Sequence, residues 1–317
     1  MDLLSDVLAL LKLKGTLYFR TEFSPPWGLA VPEFENVARF HFVHRGRCWL
    51  NVAGAGAPLL LEQGDLAIVT RGNAHRLSDP ADTDALTVDQ VVADAGFTGE
   101  GALVYGEPGA GHETQLICGH FAFDASASHP LLDALPRHIH IRGYAEVADP
   151  WLDQTLRLIG SEAGRAQLGG DLIALKLSEI IFAQAIRTYL NTDGRKRQVF
   201  AGIADPHISR VLQAIHTSPS ENWALPDLAR IAGLSRSAFA SRFHQLMSMT
   251  PLQYLTQWRM QVARRLLVDT DAPMIRVAES SGYQSEASFG RVFKRHFDVA
   301  PATYRRARRQ RPQAAHA

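Results

Sequence analysis

The sequence predicts a multidomain protein: an all-β barrel at the N-terminus, helices after it, and an all-α C-terminal domain containing two helix-turn-helix motifs. Three observations predict it. The N-terminal part is a succession of short apolar runs separated by Gly and Asp, which reads as strands and turns. From about Pro130 the apolar residues recur at helical spacing instead. The last hundred or so residues then write one pattern twice.

In the N-terminal part, Ala38 to Val52 is rich in aromatic and apolar side chains. Pro58 to Leu61 and Leu66 to Thr70 flank Gly64-Asp65, and further runs lie at Ala85 to Val92, Gly101 to Tyr105 and Thr114 to Phe123. The turn residues between them favour hairpins and a closed or sandwich-like antiparallel sheet. Closure would also protect the edges. Leu131, Leu132 and Leu135 then lead to a helix opening at Asp149-Pro150-Trp151, with Leu152, Leu156 and Ile159 on one face. Asp171 to Leu190 is a stronger helix. Its Leu172, Leu175, Leu177, Ile180, Ile181, Ala183 and Ile186 make an apolar surface wider than one core needs, which fits either complete burial or contact with a second subunit. Asn191 to Gln198, polar and basic around Gly194, reads as a tether.

Asp205-Pro206 starts the C-terminal helices, with Ile208, Val211, Leu212 and Ile215 inward and Pro219 as the stop. Leu228-Ala229-Arg230-Ile231-Ala232-Gly233-Leu234 returns in outline 49 residues later as Val277-Ala278-Glu279-Ser280-Ser281-Gly282-Tyr283. Each copy leads to an aromatic pair, Phe239 and Phe243, then Phe289 and Phe293, and closes on Pro-x-x-Tyr at Pro251 and Pro301. There the step is 50, because the second turn carries one more residue. A short helix, a Gly-centred turn and a second helix is the pattern whose second helix can enter the DNA major groove. Pro251 to Val268, about 27 Å long if helical, would connect the copies and hold them at successive grooves about 34 Å apart.

Composition narrows the function. With 46% apolar and 21% charged residues the chain should fold as a soluble protein. It has no apolar run of membrane-spanning length and no signal-peptide pattern, so a cytoplasmic location is expected. Cys48 and Cys118 are its only cysteines, which excludes a Cys-rich zinc module. The overall charge of +1 conceals a division: residues 1–150 carry -9 and residues 201–317 carry +8. A polyanion would attract the C-terminal part and repel the N-terminal one.

In the first copy Ser235 should cap a helix whose inner stripe is Phe239, Phe243 and Leu246. Its outer face then shows Arg236, Ser237, Ala240, Ser241 and His244. In the second, Ser285 caps and Phe289, Val292, Phe293 and Phe297 face inward. Glu286, Ala287, Ser288, Arg291, Lys294 and Arg295 are left outside. Arginine can bond two acceptors of guanine, and Ser and Ala permit close approach. Arg291 is the first choice as base reader, with Lys294 and Arg295 as backbone contacts. The tail Arg305-Arg306-Ala307-Arg308-Arg309 reads equally as a phosphate contact or a solubilising end.

The stretches Leu228 to Phe239 and Gly282 to Phe297, with Pro301 and Tyr304, resemble the DNA-binding domain of the arabinose-regulator (AraC) family of bacterial transcription factors. The resemblance implies seven helices, two recognition helices, and action at promoters, usually as an activator in contact with RNA polymerase. It also implies that Ser237, Ala240, Ser241, Glu286, Ala287, Ser288 and Arg291 face bases. Gly64 to His75 resembles the second motif of cupin barrels, with Thr70 where proline is common. With Phe40 to Gly46, Cys118 to Phe123 and Leu131 to Pro136 it is similar to the cupin-type sensory domain of one branch of that family. The implied division is a cupin-like sensory domain at 1–145, a helical dimerisation and linker region at 146–200, and a DNA-binding domain at 201–308.

Cupin enzymes carry a His-x-His and a glutamate before the first conserved glycine, a set that this chain lacks there; Arg39 stands near the glutamate position. Strand periodicity puts His41 on one face with Arg39 and Val43, where it can meet His75, and puts Cys118 and His120 on one face of a later strand. His41 and His75 are thus candidates for binding an effector. His41, His75, Cys118 and His120 offer ligands that zinc accepts. Equally, His41 can be a histidine bonded to backbone, His75 a turn residue at the barrel mouth, and Cys118 a small buried hydrophobe. A redox role for either cysteine requires an exposed thiolate of low pKa. The expected function is sequence-specific regulation of transcription, without catalysis, in response to a small-molecule effector or stress signal. Double-stranded promoter DNA, RNA polymerase and a second copy of the chain are the expected partners. The alternatives are a metal-dependent cupin enzyme fused to a DNA-binding module, and an architectural DNA-binding protein with a structural barrel.

Overall fold

The structure is a computed structural model that describes residues 3–11, 14–99, 101–107, 109, 112–123, 135–143, 169–192 and 201–310. The expected apolar residues Leu131 and Leu132, the helix from Asp149 and most of the tether before Gln198 lie outside the described residues. The chain divides into two compact units.

The first unit contains eleven described strands: β1 (Lys14–Phe23), β2 (Trp27–Val31), β3 (Val37–Arg45), β4 (Arg47–Val52), β5 (Leu59–Glu62), β6 (Leu66–Val69), β7 (His75–Asp79), β8 (Leu86–Thr87), β9 (Ala102–Tyr105), β10 (Thr114–Ala122) and β11 (His138–Ile141). They form a six-stranded sheet, in the order β11-β6-β3-β10-β1-β9, and a five-stranded sheet, β5-β4-β7-β2-β8. The core between them takes alternate residues from both, among them Val43, Cys118 and Leu116 from the first sheet and Leu29, Leu50 and Leu77 from the second. The outer face of the six-stranded sheet is covered by a helix whose number in chain order is α3 (Gly170–Thr192). Phe121 stacks on Phe40, and Phe182 of α3 packs on Phe121. One side of α3 is buried at Ile181, Ala185 and Ile186, while Leu172, Ile173 and Ile180 are exposed.

The expected all-β barrel is not what the strands make. Among the described residues both sheets are open, and both are mixed, because β9 runs parallel to β1 and β8 parallel to β2. In the five-stranded sheet the departure lies in the segment expected to be a strand at Ala85 to Val92. Thr87 accepts a hydrogen bond from the Gln90 backbone N–H while the Gln90 side chain accepts one from the Thr87 N–H. This capping box starts helix α2 (Val88–Asp94), so β8 stops after two residues and extends no ladder toward closure. The apolar stretch Ala38 to Val52 is likewise not one element. Gly46, at φ 77°, turns the chain from β3 in one sheet to β4 in the other.

The second unit joins helix α1 (Leu3–Leu11) to the C-terminal helices. These are α4 (Ala201–Ala204), α5 (Pro206–Thr217), α6 (Leu225–Ala232), α7 (Arg236–Met247), α8 (Pro251–Asp269), α9 (Met274–Ser280), α10 (Glu286–Phe297) and α11 (Pro301–Gln310). Leu3 packs into a core with Ile208, Leu228, Phe239, Phe243, Tyr254 and Trp258. A second core gathers Met260, Ala263, Leu267, Val277, Phe289, Phe293 and Tyr304. Each contains one copy of the repeat, and α8 supplies residues to both, so one continuous helix fixes the spacing of the two. The caps follow the sequence: Asp205 on α5, Thr250 with Gln253 on α8, and Pro at the first turn of α5, α6 and α8.

Candidate nucleic-acid interface and buried histidine chain

Helices α7 and α10 owe their start to serine. Ser235 Oγ accepts the Ala238 N–H at 3.3 Å, and Ser285 Oγ accepts the Ser288 N–H at 3.2 Å. In α7 burial of Phe239, Phe243 and Met247 fixes the helix rotation, leaving Arg236, Ser237, Ser241 and His244 exposed and Ala240 half-buried. In α10 burial of Phe289 and Phe293 leaves Glu286, Ala287, Arg291, Lys294 and Arg295 exposed. Ala287, Arg291, Lys294 and Arg295 fall at i, i+4, i+7 and i+8, so they form one stripe. Among the described residues the side chains of Arg236, His244, Arg291, Lys294 and Arg295 have no protein partner. Ser285 and Ser288 differ: their hydroxyls bond each other at 3.0 Å and Ser288 Oγ donates to the Ser285 carbonyl, so both are engaged in the cap.

Two arginines that the sequence did not single out prove to be fasteners. Arg242, on α7, binds the carboxylate of Asp205, which also accepts the His207 and Ile208 N–H groups. Burial alone would raise the Asp205 carboxyl, but the Arg242 guanidinium and those N–H groups hold it below the usual carboxylate range. Arg259, on α8, donates to the carbonyls of Pro219 and Glu221 and lies over the Tyr283 ring. It therefore ties the loop before the first repeat to the turn of the second. Neither role has a local sequence signal, because each hydrogen-bond partner lies more than thirty residues away.

In the strand unit the four residues proposed as donors lie inward and buried. His41 Nδ1 is 3.1 Å from Cys118 Sγ, His41 Nε2 is 2.8 Å from His75 Nε2, and His75 Nδ1 is 2.9 Å from the Asn73 carbonyl. Burial drives the His41 pKa well down, reinforced by His75 and Arg39, and takes His75 to about 4. Both rings are therefore neutral near pH 7, and the tautomers follow. The Asn73 carbonyl can only accept, so His75 carries its proton on Nδ1 and offers a bare Nε2. His41 must donate from Nε2, which leaves its Nδ1 to accept from the Cys118 thiol. The result is a one-way chain of donation, Cys118 to His41 to His75 to Asn73. Arg39, two residues before His41, is held by the Pro32 carbonyl and lies over Phe34.

This geometry does not fit a zinc ion. Cys118 and His75 meet opposite edges of the one His41 ring, so the donors lie in a row and do not converge on a point. No group of three or more His, Cys, Asp or Glu among the described residues could hold a metal. His120 pairs with Arg39 across the strands, one step beyond the Cys118 and His41 pair. The thiols also lack the microenvironment of redox cysteines: both are buried, burial pushes Cys118 up to about 12, and Cys48 is raised by burial and by Cys118.

Residues 2–191 match the Cupin family, and residues 228–307 match the family described as a helix-turn-helix domain. A Streptomyces lividans protein named for its likeness to AraC-type transcription regulators is 32% identical over 307 residues, covering 96% of this chain and 98% of the relative. The Escherichia coli K12 protein named RCS-specific HTH-type transcriptional activator RclR is 27% identical over 98% of this chain and 99% of its own. Among solved structures, the DNA-binding domain of AdpA in complex with a target DNA is 34% identical, covers 35% of this chain and 99% of that one, and has a TM-score of 0.33.

Proposed function

Because this chain belongs to the AraC-like family of DNA-binding transcription regulators, with a cupin domain before the helix-turn-helix domain, we propose that α7 and α10 each enter a major groove of promoter DNA and that α10 carries most of the sequence discrimination. One observation supports this above the others: the exposed stripe of Arg291, Lys294 and Arg295, without partners among the described residues, on a helix whose opposite side is locked into a core. At the equivalent positions α7 has Ser241, His244 and Gln245, which offer less charge and shorter reach. Arg236, Ser237, Ala240 and Ser241 then make the shallower contact, with Glu286 and Ala287 at the entering end of α10.

The regulator works by coupling and without turnover: an effector in the cupin domain alters how the DNA-binding domain is used. It activates transcription through RNA polymerase, and the exposed Leu172, Ile173 and Ile180 on α3 meet a second copy of the chain. The enzyme alternative draws no support, since its metal donors do not converge. Selection of bound duplexes from a random pool, followed by footprinting, tests the DNA reading. A discrete motif spanning two adjacent major grooves is expected; protection without sequence preference would leave only an architectural role.

A further inference from the structure

A cavity of about 600 Å³ lies in the strand unit, bordered by His75 but not by His41 or Cys118. Its floor is one cross-strand row of the five-stranded sheet: Asn51 of β4 pairs with Arg76 of β7, Arg76 with Ala30 of β2, and Ala30 with Thr87 of β8. Strand alternation turns this row away from the core, because its neighbours Leu29, Leu50, Val52 and Leu77 are the core residues. Val31, Pro32, Ala53, Ala74 and Val88 add an apolar wall, and Asp89 stands at the start of α2. The volume falls within the range of small-molecule sites, roughly 300–1,000 Å³.

Three polar groups in this wall keep hydrogen-bonding capacity unused among the described residues. Arg76 spends one nitrogen, Nη2, on the Ala81 carbonyl at 3.1 Å, and among the described residues its other N–H groups have no acceptor. The Asn51 amide and the Asp89 carboxylate have no side-chain partner among the described residues either, and Arg76 and Asp89 do not pair with each other. A half-buried guanidinium with a free donor edge, over an apolar floor and beside an amide, suits a planar carboxylate on an apolar body. Asp89 opposes a second negative charge, as does the net -9 of residues 1–150.

We propose that this outward cavity, and not the buried histidine pair, is the effector site, and that it takes a small organic monocarboxylate with its anionic group on Arg76 and Asn51. The proposal rests on the reading of the cupin domain as an effector domain. Its connection to the interior is short: His75, at one end of the buried hydrogen-bond chain, borders the cavity and precedes Arg76.

The test is titration calorimetry on the full chain with hexanoate, decanoate and benzoate, each matched with its amide, and with phthalate as a dianion. At least one acid should bind, its amide should bind ~10-fold more weakly, and Arg76→Gln should weaken the acid by a similar factor while the melting temperature stays within a few degrees. Asp89→Asn, at an exposed position, should improve phthalate binding. Acids and amides binding alike, no acid binding at all, or Arg76→Gln and Asp89→Asn leaving affinities unchanged would each overturn the site. Promoter occupancy is read in the same samples. Acid bound at Arg76 with unaltered occupancy supports the site and removes the effector reading. A different molecule that alters occupancy equally in wild type and Arg76→Gln removes the site and keeps that reading.

Discussion

His41 on β3 and His75 on β7 meet Nε2 to Nε2 at 2.8 Å and thereby join the two sheets by a hydrogen bond through their shared core. In the neutral pair His41 donates and His75 accepts, and burial keeps both rings neutral. A proton added to His75 Nε2 would set its N–H against that of His41, and one added to His41 Nδ1 would set an N–H against the Cys118 thiol, so the arrangement opposes either charge as burial does.

A pH dependence of stability follows. His75 titrates at its ordinary 6.5 when unfolded and at about 4 when folded. The unfolded chain therefore binds more protons between those values. Stability should be full above about pH 6.5, fall as the pH drops, and have lost this contribution by about pH 4. The loss from His75 alone is on the order of 3 kcal/mol, and His41 acts in the same direction. Asp65, held low by His140 and two backbone N–H groups despite its burial, titrates from 3.8 downward and so falls outside this window. Urea denaturation from pH 8 to 4 measures the slope. His75→Gln should flatten it between pH 6.5 and 4, and an unaltered slope would refute the neutral pair.

Metal content and thiol reactivity test the same core from another side. Purified protein should carry zinc far below one equivalent, and a chelator should leave its melting temperature unchanged. Cys48 and Cys118 should react with a thiol reagent only on unfolding, since both are buried and their pKa values are raised. Near-equimolar zinc, or rapid labelling of either cysteine in the native protein, would contradict the arrangement of His41 between Cys118 and His75.

Gly282 makes a prediction about the second repeat. Its φ is 77°, and a Cβ placed there would lie 2.6 Å from the Arg259 guanidinium, which holds the Pro219 and Glu221 carbonyls and stacks on Tyr283. Gly282→Ala should therefore cost more than Gly233→Ala, where φ is 67° but the Cβ meets nothing within 4 Å. Backbone strain alone is about 1 kcal/mol at each site; displacement of Arg259 adds to it only at Gly282. Thermal melts of the two variants compare them directly, and equal losses would mean that the Arg259 tie contributes nothing.

These two glycines also show what the sequence made legible. The repeat, the serine caps and the inward phenylalanines are local patterns, so the boundaries of α7 and α10 and their outer faces could be read from it. So could the shared face of Arg39, His41 and Val43, which rests only on strand alternation. Sheet order is different. Which strands pair is decided by contacts among residues far apart in sequence, and the edge strand β8 is cut short by a capping box at Thr87 and Gln90 inside a stretch whose Val88, Val91 and Val92 suggest a strand. The fastening of Arg242 to Asp205 and the row from Asn51 to Thr87 were hidden for the same reason: tertiary pairing, not periodicity, brings them together.

The division of labour on α10 can be resolved by salt. Arg291 lies mid-stripe, one turn beyond Ala287, whose methyl leaves room for close approach of the helix, while Lys294 and Arg295 sit in the last turn. A guanidinium that bonds a base edge discriminates by about 1–3 kcal/mol, whereas a phosphate contact contributes equally on any sequence and releases about one counterion. Arg291→Ala should therefore reduce affinity for the selected site far more than for random DNA. Lys294→Ala and Arg295→Ala should weaken both together and lower the slope of log affinity against log salt by about one each. Ser241→Ala, at the equivalent place on α7, should cost less than Arg291→Ala, because a hydroxyl offers a single short contact. Fluorescence anisotropy with specific and scrambled duplexes at several salt concentrations separates the cases. If Arg291→Ala weakens both duplexes equally, the arginine contacts phosphate and the selective end of the domain lies on another helix.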